Sequence, residues 1–306
     1  MNPGVMQAAG PAAQAISGIA WLLFIGGGII FAGVMLLLAW ALRRRGGTLR
    51  PLLWIAGGGV LFPGVVLTAL FFHVLPLGPA WKPVPPPGAL VISVTARMWW
   101  WEVRYPGAAG SEELRTANEI RIPTGQPVYL ALASDDVIHS FWVPALAGKM
   151  DMVPGRMQHL LLSADKPGTY RGQCAEYCGV QHARMALHAV AQPPDEFAAW
   201  RNAQALPAAP AATARRALGR QAFLDNRCDA CHTVRGVTGD NRLGPDLTHV
   251  GSRLQLAAGT LPNSADALAR WVAHVQEIKP GARMPSYDRI DTDALAAMAD
   301  WLDSLK

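Results

Sequence analysis

Apolar and polar positions divide the chain into three regions, and the first is dominated by apolar residues. No charged residue precedes Arg43, and a second long uncharged stretch follows Arg50. Each stretch is longer than the roughly 20 apolar residues that cross a bilayer as a helix. We therefore predict two transmembrane helices, at about 16–42 and 52–77, with a local kink at Pro63 in the second.

A cleaved signal peptide is the alternative for the first stretch. Signal peptides begin with a basic segment and have a short apolar core, whereas here no basic residue precedes the stretch and the core is long. The pattern therefore favours a helical hairpin that stays in the membrane.

Positive charge is concentrated in the short loop between the two predicted helices. This loop has no acidic residue and contains Arg43, Arg44, Arg45 and Arg50, which supply most of the net charge of +5. The positive-inside rule assigns such a loop to the cytoplasm. We therefore expect a membrane-anchored protein with both termini and the region after about residue 78 on the extracytoplasmic side. Because the rest of the chain is nearly neutral, we expect membrane lipid and not nucleic acid as a partner.

Alternating apolar positions replace continuous apolar runs after a proline-rich spacer at 83–87. Val128, Leu130 and Leu132, for example, share one face of a period-two segment. Gly and Pro residues separate several such segments, as turns separate strands. This pattern predicts an antiparallel β-sandwich at about 88–192.

Helical periodicity begins after an Ala- and Pro-rich linker that cannot bury a core of its own. Apolar faces follow Ser264 and Asp291, two residue types suited to cap a helix N-terminus. The chain therefore ends in a small all-α domain, and we expect the linker to let this domain swing. The predicted organisation is an N-terminal segment with two transmembrane helices at 1–82, a β-sandwich domain at 83–201, the linker at 202–214 and the all-α domain at 215–306.

Four cysteines occur as two pairs, one in each predicted soluble domain. Outside the cytoplasm the default interpretation of such pairs is a disulfide. In the second pair, however, His232 follows directly after Cys228-Asp-Ala-Cys231, which is the pattern of c-type haem attachment. There the two thiols add to the haem vinyl groups and the imidazole binds the iron. A redox dithiol or a zinc site is the alternative for this motif taken alone.

The surroundings of this motif resemble a small cytochrome c domain over nearly its whole length. A predicted helix precedes the motif, Gly244-Pro-Asp-Leu follows it, and Lys-Pro-Gly-Ala-Arg-Met284-Pro precedes a final amphipathic helix. The resemblance implies one covalent haem c with Met284 as the second axial ligand. The alternative axial ligands are His249, His274 and Met298, of which Met298 lies on the apolar face of the last predicted helix.

The other cysteine pair lies in a cluster of soft metal ligands, which are Cys174, Cys178, His182 and Met185, with His139 upstream. Thiolate, imidazole and thioether donors together favour copper. Zinc accepts Cys and His but seldom Met, and a mononuclear blue-copper site needs only one Cys. A second thiolate four residues after the first can bridge two copper ions.

Over both apolar stretches and the whole predicted sandwich, the sequence resembles subunit II of cytochrome c oxidase. The resemblance implies a cupredoxin-like sandwich that holds a dinuclear copper A centre. It also implies that the Glu176 side chain helps to bind magnesium at the interface with the catalytic subunit. Trp99, in the run Met-Trp-Trp-Trp at 98–101, would receive the electron. The implied copper ligands are bridging Cys174 and Cys178, terminal His139 and His182, and weakly bound Met185 and the backbone carbonyl of Glu176.

The function that the resemblance implies is electron input to a haem-copper terminal oxidase. Electrons would pass from cytochrome c or another periplasmic donor, through the haem and the copper centre, to catalytic subunit I, which reduces oxygen to water beside further oxidase subunits. The alternatives are the copper A subunit of a nitric oxide reductase and a membrane copper-delivery protein. The family often has a carboxylate at the inner end of the second helix, but the arginine loop has none, so no proton-uptake role is implied.

Overall fold

The computed structural model describes residues 7–44, 50–76, 85–107 and 113–306. They form two compact units, one with the two N-terminal helices and one with the β-sandwich and the helical region. The predicted order of apolar helices, β-sandwich and helical domain is therefore confirmed. Three predicted features lie outside the described residues, namely Arg45 of the arginine loop, the end of the second predicted span at Leu77 and the start of the proline-rich spacer at Pro83.

The N-terminal unit consists of two long apolar helices, α1 at Pro11–Arg43 and α2 at Pro51–Val74. Both are long enough and apolar enough to cross a membrane, and no residue in their most apolar windows is buried. The predicted disturbance at Pro63 takes the form of a π-helical stretch at Trp54–Leu61, just before the proline. Because proline lacks an N–H, it interrupts the regular ladder of helical hydrogen bonds at this place.

Ten strands form the two five-stranded sheets of the sandwich, in the orders β3-β2-β1-β5-β8 and β4-β10-β9-β6-β7. Both sheets contribute fully buried side chains, such as Ile92 and Ile120, to the core between them. The strands are β1 Leu90–Arg97, β2 Trp100–Tyr105, β3 Leu114–Ala117, β4 Glu119–Pro123, β5 Val128–Ser134, β6 His139–Trp142, β7 Met150–Met152, β8 Gln158–Leu162, β9 Gly168–Cys174 and β10 Ala186–Gln192.

Each sheet contains one parallel pair, which corrects the purely antiparallel sandwich predicted from the alternation. β1 pairs in parallel with β5, and β4 pairs in parallel with β10. Alternation identifies a half-buried strand but carries no information about its partner. Parallel neighbours need a crossover, and β2 to β4 lie between β1 and β5 along the chain. The core positions were predicted correctly, since Val128, Leu130 and Leu132 are fully buried.

The helical region is organised around the crossing of its first and last helices. Gly219 allows this close approach, because an added Cβ there would lie 2.1 Å from Ala297 O. The predicted caps Ser264 and Asp291 accept hydrogen bonds from backbone N–H groups of the next turn. The helices are α3 Pro194–Ala205, which precedes this region, then α4 Ala214–Asp225, α5 Ala265–Ala273, α6 Val275–Ile278 and α7 Thr292–Asp303, with one short ladder of β11 Gln255–Leu256 and β12 Leu261–Pro262.

The segment predicted as a linker is shorter and more firmly held than its composition suggested. α3 continues through Ala205, which lies inside the predicted linker. Beyond it, Ala208 N–H donates to Arg235 O (2.9 Å), and Leu206 O accepts from His249. An Ala- and Pro-rich segment has no core of its own, but here its small side chains pack on the core of the helical region. These contacts hold the segment in place, whereas the sequence predicted a linker that lets the helical domain swing.

Direct contacts also join the sandwich to the helical region within the second unit. They include both backbone and side-chain hydrogen bonds, so the two parts meet over several loops. Three of them are Ala186 N–H to Ala258 O (3.0 Å), Leu254 N–H to Glu119 Oε2 (2.9 Å) and the ion pair of Arg115 Nη1 with Asp240 Oδ1 (2.6 Å).

Candidate metal and haem sites

The predicted metal ligands of the sandwich come from two paired strands and from the loop that follows one of them. β6 begins at His139 and β9 ends at Cys174, and these strands are antiparallel neighbours. His139 Nδ1 therefore lies 3.8 Å from Cys174 Sγ. The chain then makes a loop through Met185 before β10 begins at Ala186.

Cys178 lies at the centre of this loop. Its Sγ is 3.8 Å from Cys174 Sγ, 3.6 Å from His182 Nδ1 and 3.9 Å from Met185 Sδ. The backbone oxygen of Glu176 lies 3.2 Å from Cys174 Sγ. The structure thus brings together all six predicted donors: His139, Cys174, Glu176, Cys178, His182 and Met185.

The cluster is shielded from solvent. His139 is completely buried, and Cys174, Cys178 and Met185 are at most 4% exposed. His182 is half-buried at the edge of the cluster. None of the four cysteines forms a disulfide, in contrast to the default interpretation of the two pairs. A set of two thiols, two imidazoles and one thioether matches the ligand preferences of copper, so the residues present fit that metal.

The two thiols of the cluster differ in acidity because they share one hydrogen bond. This bond lowers the pKa of Cys174 to about 3 and raises the pKa of Cys178, which keeps the proton. Burial acts to lower the pKa of His139, but hydrogen bonds with Cys174 and Asp136 outweigh it and raise that pKa. One thiolate thus forms readily beside an imidazole, and metal binding displaces the remaining proton.

Asp136 is a functional candidate that the sequence analysis missed. Its Oδ1 lies 2.8 Å from His139 Nε2, and its Oδ2 accepts from Met98 N–H (2.7 Å). Burial acts to raise the pKa of Asp136, but these hydrogen bonds hold it below its ordinary value. A carboxylate on the second nitrogen of a ligand histidine fixes the ring orientation. The signal was a carboxylate three residues before His139, in Asp-Asp-Val-Ile-His.

Trp99 lies against the cysteine-rich loop. Its Nε1 donates to Cys178 O (2.8 Å), and an added Cβ at Gly179 would lie 3.1 Å from its Cζ2. The Trp101 ring also approaches the cluster, with its centroid 6.3 Å from that of His139. Two indoles of the aromatic run therefore reach the cluster, and Trp99 is the one hydrogen-bonded to the loop.

The haem-attachment motif follows α4 in the helical region. His232 Nδ1 donates to Pro245 O (2.7 Å), which leaves Nε2 available to bind iron. The ring packs so closely on Gly244 that an added Cβ there would lie 2.5 Å from its Cε1. Burial lowers the pKa of His232, which favours the neutral imidazole that a ligand requires. Burial also raises the pKa of the Cys228 thiol to about 11, whereas Cys231 is exposed.

The contacts of the alternative axial residues favour Met284. Both ring nitrogens of His249 lie within hydrogen-bond distance of backbone carbonyl oxygens (3.1 and 3.0 Å), and His274 pairs through Nδ1 with Glu277 (3.2 Å). Met298 is 1% exposed and belongs to the apolar core of the helical region. Met284 is partly buried in the proline-flanked loop between α6 and α7.

Two family models match the chain, one for each soluble part. Residues 107–191 match the periplasmic domain of cytochrome c oxidase subunit II, and residues 216–306 match cytochrome c. Among solved structures, the periplasmic domain of subunit II of cytochrome oxidase from Bradyrhizobium japonicum is 31% identical, with a TM-score of 0.36, and the match covers 39% of this chain and 95% of that one.

Full-length relatives extend the similarity. Cytochrome c oxidase subunit 2 of Alkalihalophilus pseudofirmus is 38% identical over 215 residues, which cover 70% of this chain and 61% of that protein. The same subunit of Bacillus sp. strain PS3 is 31% identical, with 71% and 62% covered. The matched region spans about three fifths of the length of these relatives. The periplasmic-type domain of the chain is therefore that of the cytochrome c oxidase subunit II family, and a cytochrome c domain follows it.

Proposed function

We propose that this chain is the electron-input subunit of a haem-copper terminal oxidase. In this role it passes electrons from a cytochrome c donor through its own haem and copper centre to the subunit that reduces oxygen to water. The observation that carries the proposal is the convergence of two thiols, two imidazoles and a thioether around Cys178, in a chain that also has a haem-attachment motif. A copper-delivery protein would need neither the second bridging thiol nor the haem motif.

We assign two copper ions to the cluster around Cys178 and one covalent haem c to the helical region. When bound, these groups supply two one-electron carriers, and the chain supplies their ligand geometry and a site that excludes water. The copper ligands are His139, Cys174, Glu176 through its backbone oxygen, Cys178, His182 and Met185, and the haem residues are Cys228, Cys231, His232 and Met284.

Trp99 is suited to connect the two sites. One edge of its indole donates to Cys178 O, and the ring also faces Gly281, three residues before Met284. An added Cβ at Gly281 would lie 3.5 Å from Trp99 Cη2, so the two loops are in van der Waals contact there. Since the helical region covers Trp99, which is 9% exposed, a soluble donor would deliver its electron to the haem and not to Trp99.

The surroundings of the protein follow from the same proposal. α1 and α2 anchor the chain in a bacterial inner membrane, with the arginine loop in the cytoplasm and the soluble parts in the periplasm. The catalytic subunit I and further oxidase subunits are the protein partners, and membrane lipid surrounds the helices. A magnesium ion at the interface with subunit I would bind the Glu176 side chain.

Metal and haem content test the proposal. The full chain, purified in its complex after maturation, is expected to hold two coppers and one covalent haem. Cys178→Ser should abolish the spectrum of a copper pair that shares its electron and leave the haem attached. The matched Cys231→Ser variant should impair haem attachment and leave the copper spectrum intact. Stoichiometric zinc, or the absence of covalent haem from the mature chain, would contradict the proposal.

The assignment of Met284 predicts a change in haem potential. Met284→Ala removes a thioether, which favours reduced haem, so the reduction potential should fall by on the order of 0.1 V within the roughly 0.8 V range set by axial ligation. Met298→Leu is the control in the same domain, and its potential should match the wild type. Redox titration of both variants decides the point, because an unchanged potential in Met284→Ala rules this residue out.

The Asp136 carboxylate predicts a loss of copper affinity without loss of a ligand. Asp136→Asn should weaken copper binding by about 10- to 100-fold, because the amide holds the His139 ring less firmly. Asp135→Asn is the control, since Asp135 is an exposed neighbour that pairs with Arg97 (2.8 Å) and not with a ligand. Competition with a copper chelator measures both variants. Equal affinities in the two would remove Asp136 from the site.

A further inference from the structure

The end of α6 and the loop after it are attached to the cysteine-rich loop at three successive residues. Ile278 O accepts from Arg184 Nη1, and Pro280 O accepts from Gln181 Nε2 (2.8 Å). Lys279, between them, extends its side chain into the interface. Gln181 and Arg184 belong to the loop that holds the copper ligands, so the loop that leads to Met284 is tied directly to the copper site.

Lys279 makes the most extensive of these attachments. Its side chain is buried, with the residue 3% exposed, and its Nζ donates to three backbone oxygens. Two belong to the sandwich, Trp99 O (2.7 Å) and Arg184 O (2.9 Å), and one belongs to the helical region, Ala257 O (3.1 Å). These three acceptors come together only when the two parts of the chain are docked.

The buried amine of Lys279 needs hydrogen-bond acceptors, and only the docked domains supply all three of them. Burial, followed by the charge of Arg184, lowers the pKa of Lys279 to about 7. The protonated group has three N–H donors and the neutral amine has two, so Nζ donates to at least two of the oxygens in either form. A buried amine without acceptors is costly, and so are buried carbonyl oxygens without donors.

Lys279 also acts on the residue that connects the two sites. Its Nζ holds the backbone of Trp99, while Gly281, two residues later, lies against the Trp99 ring. The backbone of Gly281 has φ +80, a conformation that favours glycine and turns the loop there. Trp99 is therefore held at three places. The loop between α6 and α7 contacts its backbone oxygen and its ring, and its indole nitrogen donates to Cys178 O.

We propose that Lys279 is a positioning residue for electron transfer, which locks the loop between α6 and α7, the loop that carries Met284, onto Trp99 of the sandwich. This inference rests on the proposed function for the electron-transfer step, but the docking role of Lys279 concerns the protein alone. Lys279 touches neither cofactor site, so it acts by fixing the contact between the two domains.

Lys279→Met in the full chain, within its complex, tests the proposal. Methionine fills much of the same space but donates to none of the three oxygens. Hydrogen exchange at two amides reports docking, since Ala186 N–H and Leu254 N–H both donate across the interface. We expect exchange there to become at least about tenfold faster, because one buried and two partly buried acceptors lose their donor. Haem-to-copper transfer should slow by a similar factor, with the haem potential and copper spectrum unchanged.

Two further variants complete the experiment. Lys149→Met removes an exposed lysine that pairs only within the sandwich, with Asp151, and should match the wild type in every measurement. Lys279→Gln keeps N–H donors on a shorter side chain and should give exchange rates between those of the wild type and Lys279→Met. If Lys279→Met failed to fold, exchange would be fast throughout the β-sandwich core. In that case the interface exchange of Lys279→Gln, compared with that of the wild type, decides whether Lys279 locks the two domains.

Two results would overturn the proposal. The first is exchange at Ala186 and Leu254 that is the same in Lys279→Met as in Lys149→Met. The second is an altered haem potential or copper spectrum with the interface still protected, because Lys279 would then act on a cofactor site. If the chain proved to hold no copper or haem, the exchange measurement would still decide whether Lys279 locks the two domains.

Discussion

Two buried thiols held 3.8 Å apart impose the main constraint on this structure. Two neighbouring thiolates repel each other strongly where water is excluded, so the site needs positive charge or a shared proton. Without metal, a hydrogen bond between Cys174 and Cys178 and the nearby His139 meet this need. Copper would bind this set of donors and take the place of the shared proton.

Support for the loop comes from outside the ligand set. The pairing of β6 with β9 puts His139 beside Cys174, and Asp136 fixes the His139 ring from behind. Trp99 donates to Cys178 O on another side. Because the loop is held by strands, a carboxylate and an indole, a change in any of these would shift the ligands without removing one. The same rigidity favours electron transfer, which requires little change in geometry at the metal.

The helical region extends this support across the domain interface. Its loop before Met284 is tied to Gln181 and Arg184, whose own loop carries most of the proposed copper ligands. The short connecting segment packs on the helical region and does not act as a free tether. The distance between the two sites is thus set by a fixed contact. In a protein with little net charge outside the arginine loop, such a contact replaces long-range electrostatic steering.

Local patterns in the sequence predicted the elements and grouped the donors Cys174, Cys178, His182 and Met185, because these lie within a few residues of one another. The resemblance to the family, and not a local pattern, implied Met284 and the backbone oxygen of Glu176 as ligands. The ligand Cys178 is central and lies four residues from both Cys174 and His182. Long-range partners could not be predicted in this way. From the sequence alone, Lys279 would be predicted to lie on the surface, because its acceptor Trp99 is 180 residues earlier in the chain. The parallel pairing of β1 with β5 and the packing of Ala208 are also tertiary features that no local period encodes.

The loop between α6 and α7 is already docked on Trp99 before an electron moves from the haem. Electron transfer from haem to copper in the intact complex, started by light-driven reduction of the haem, tests it most directly when solvent viscosity is varied. A docked interface predicts a single first-order phase whose rate does not change with viscosity. A rate that falls in proportion to viscosity would contradict the account, because the haem domain would then have to move into place before each transfer.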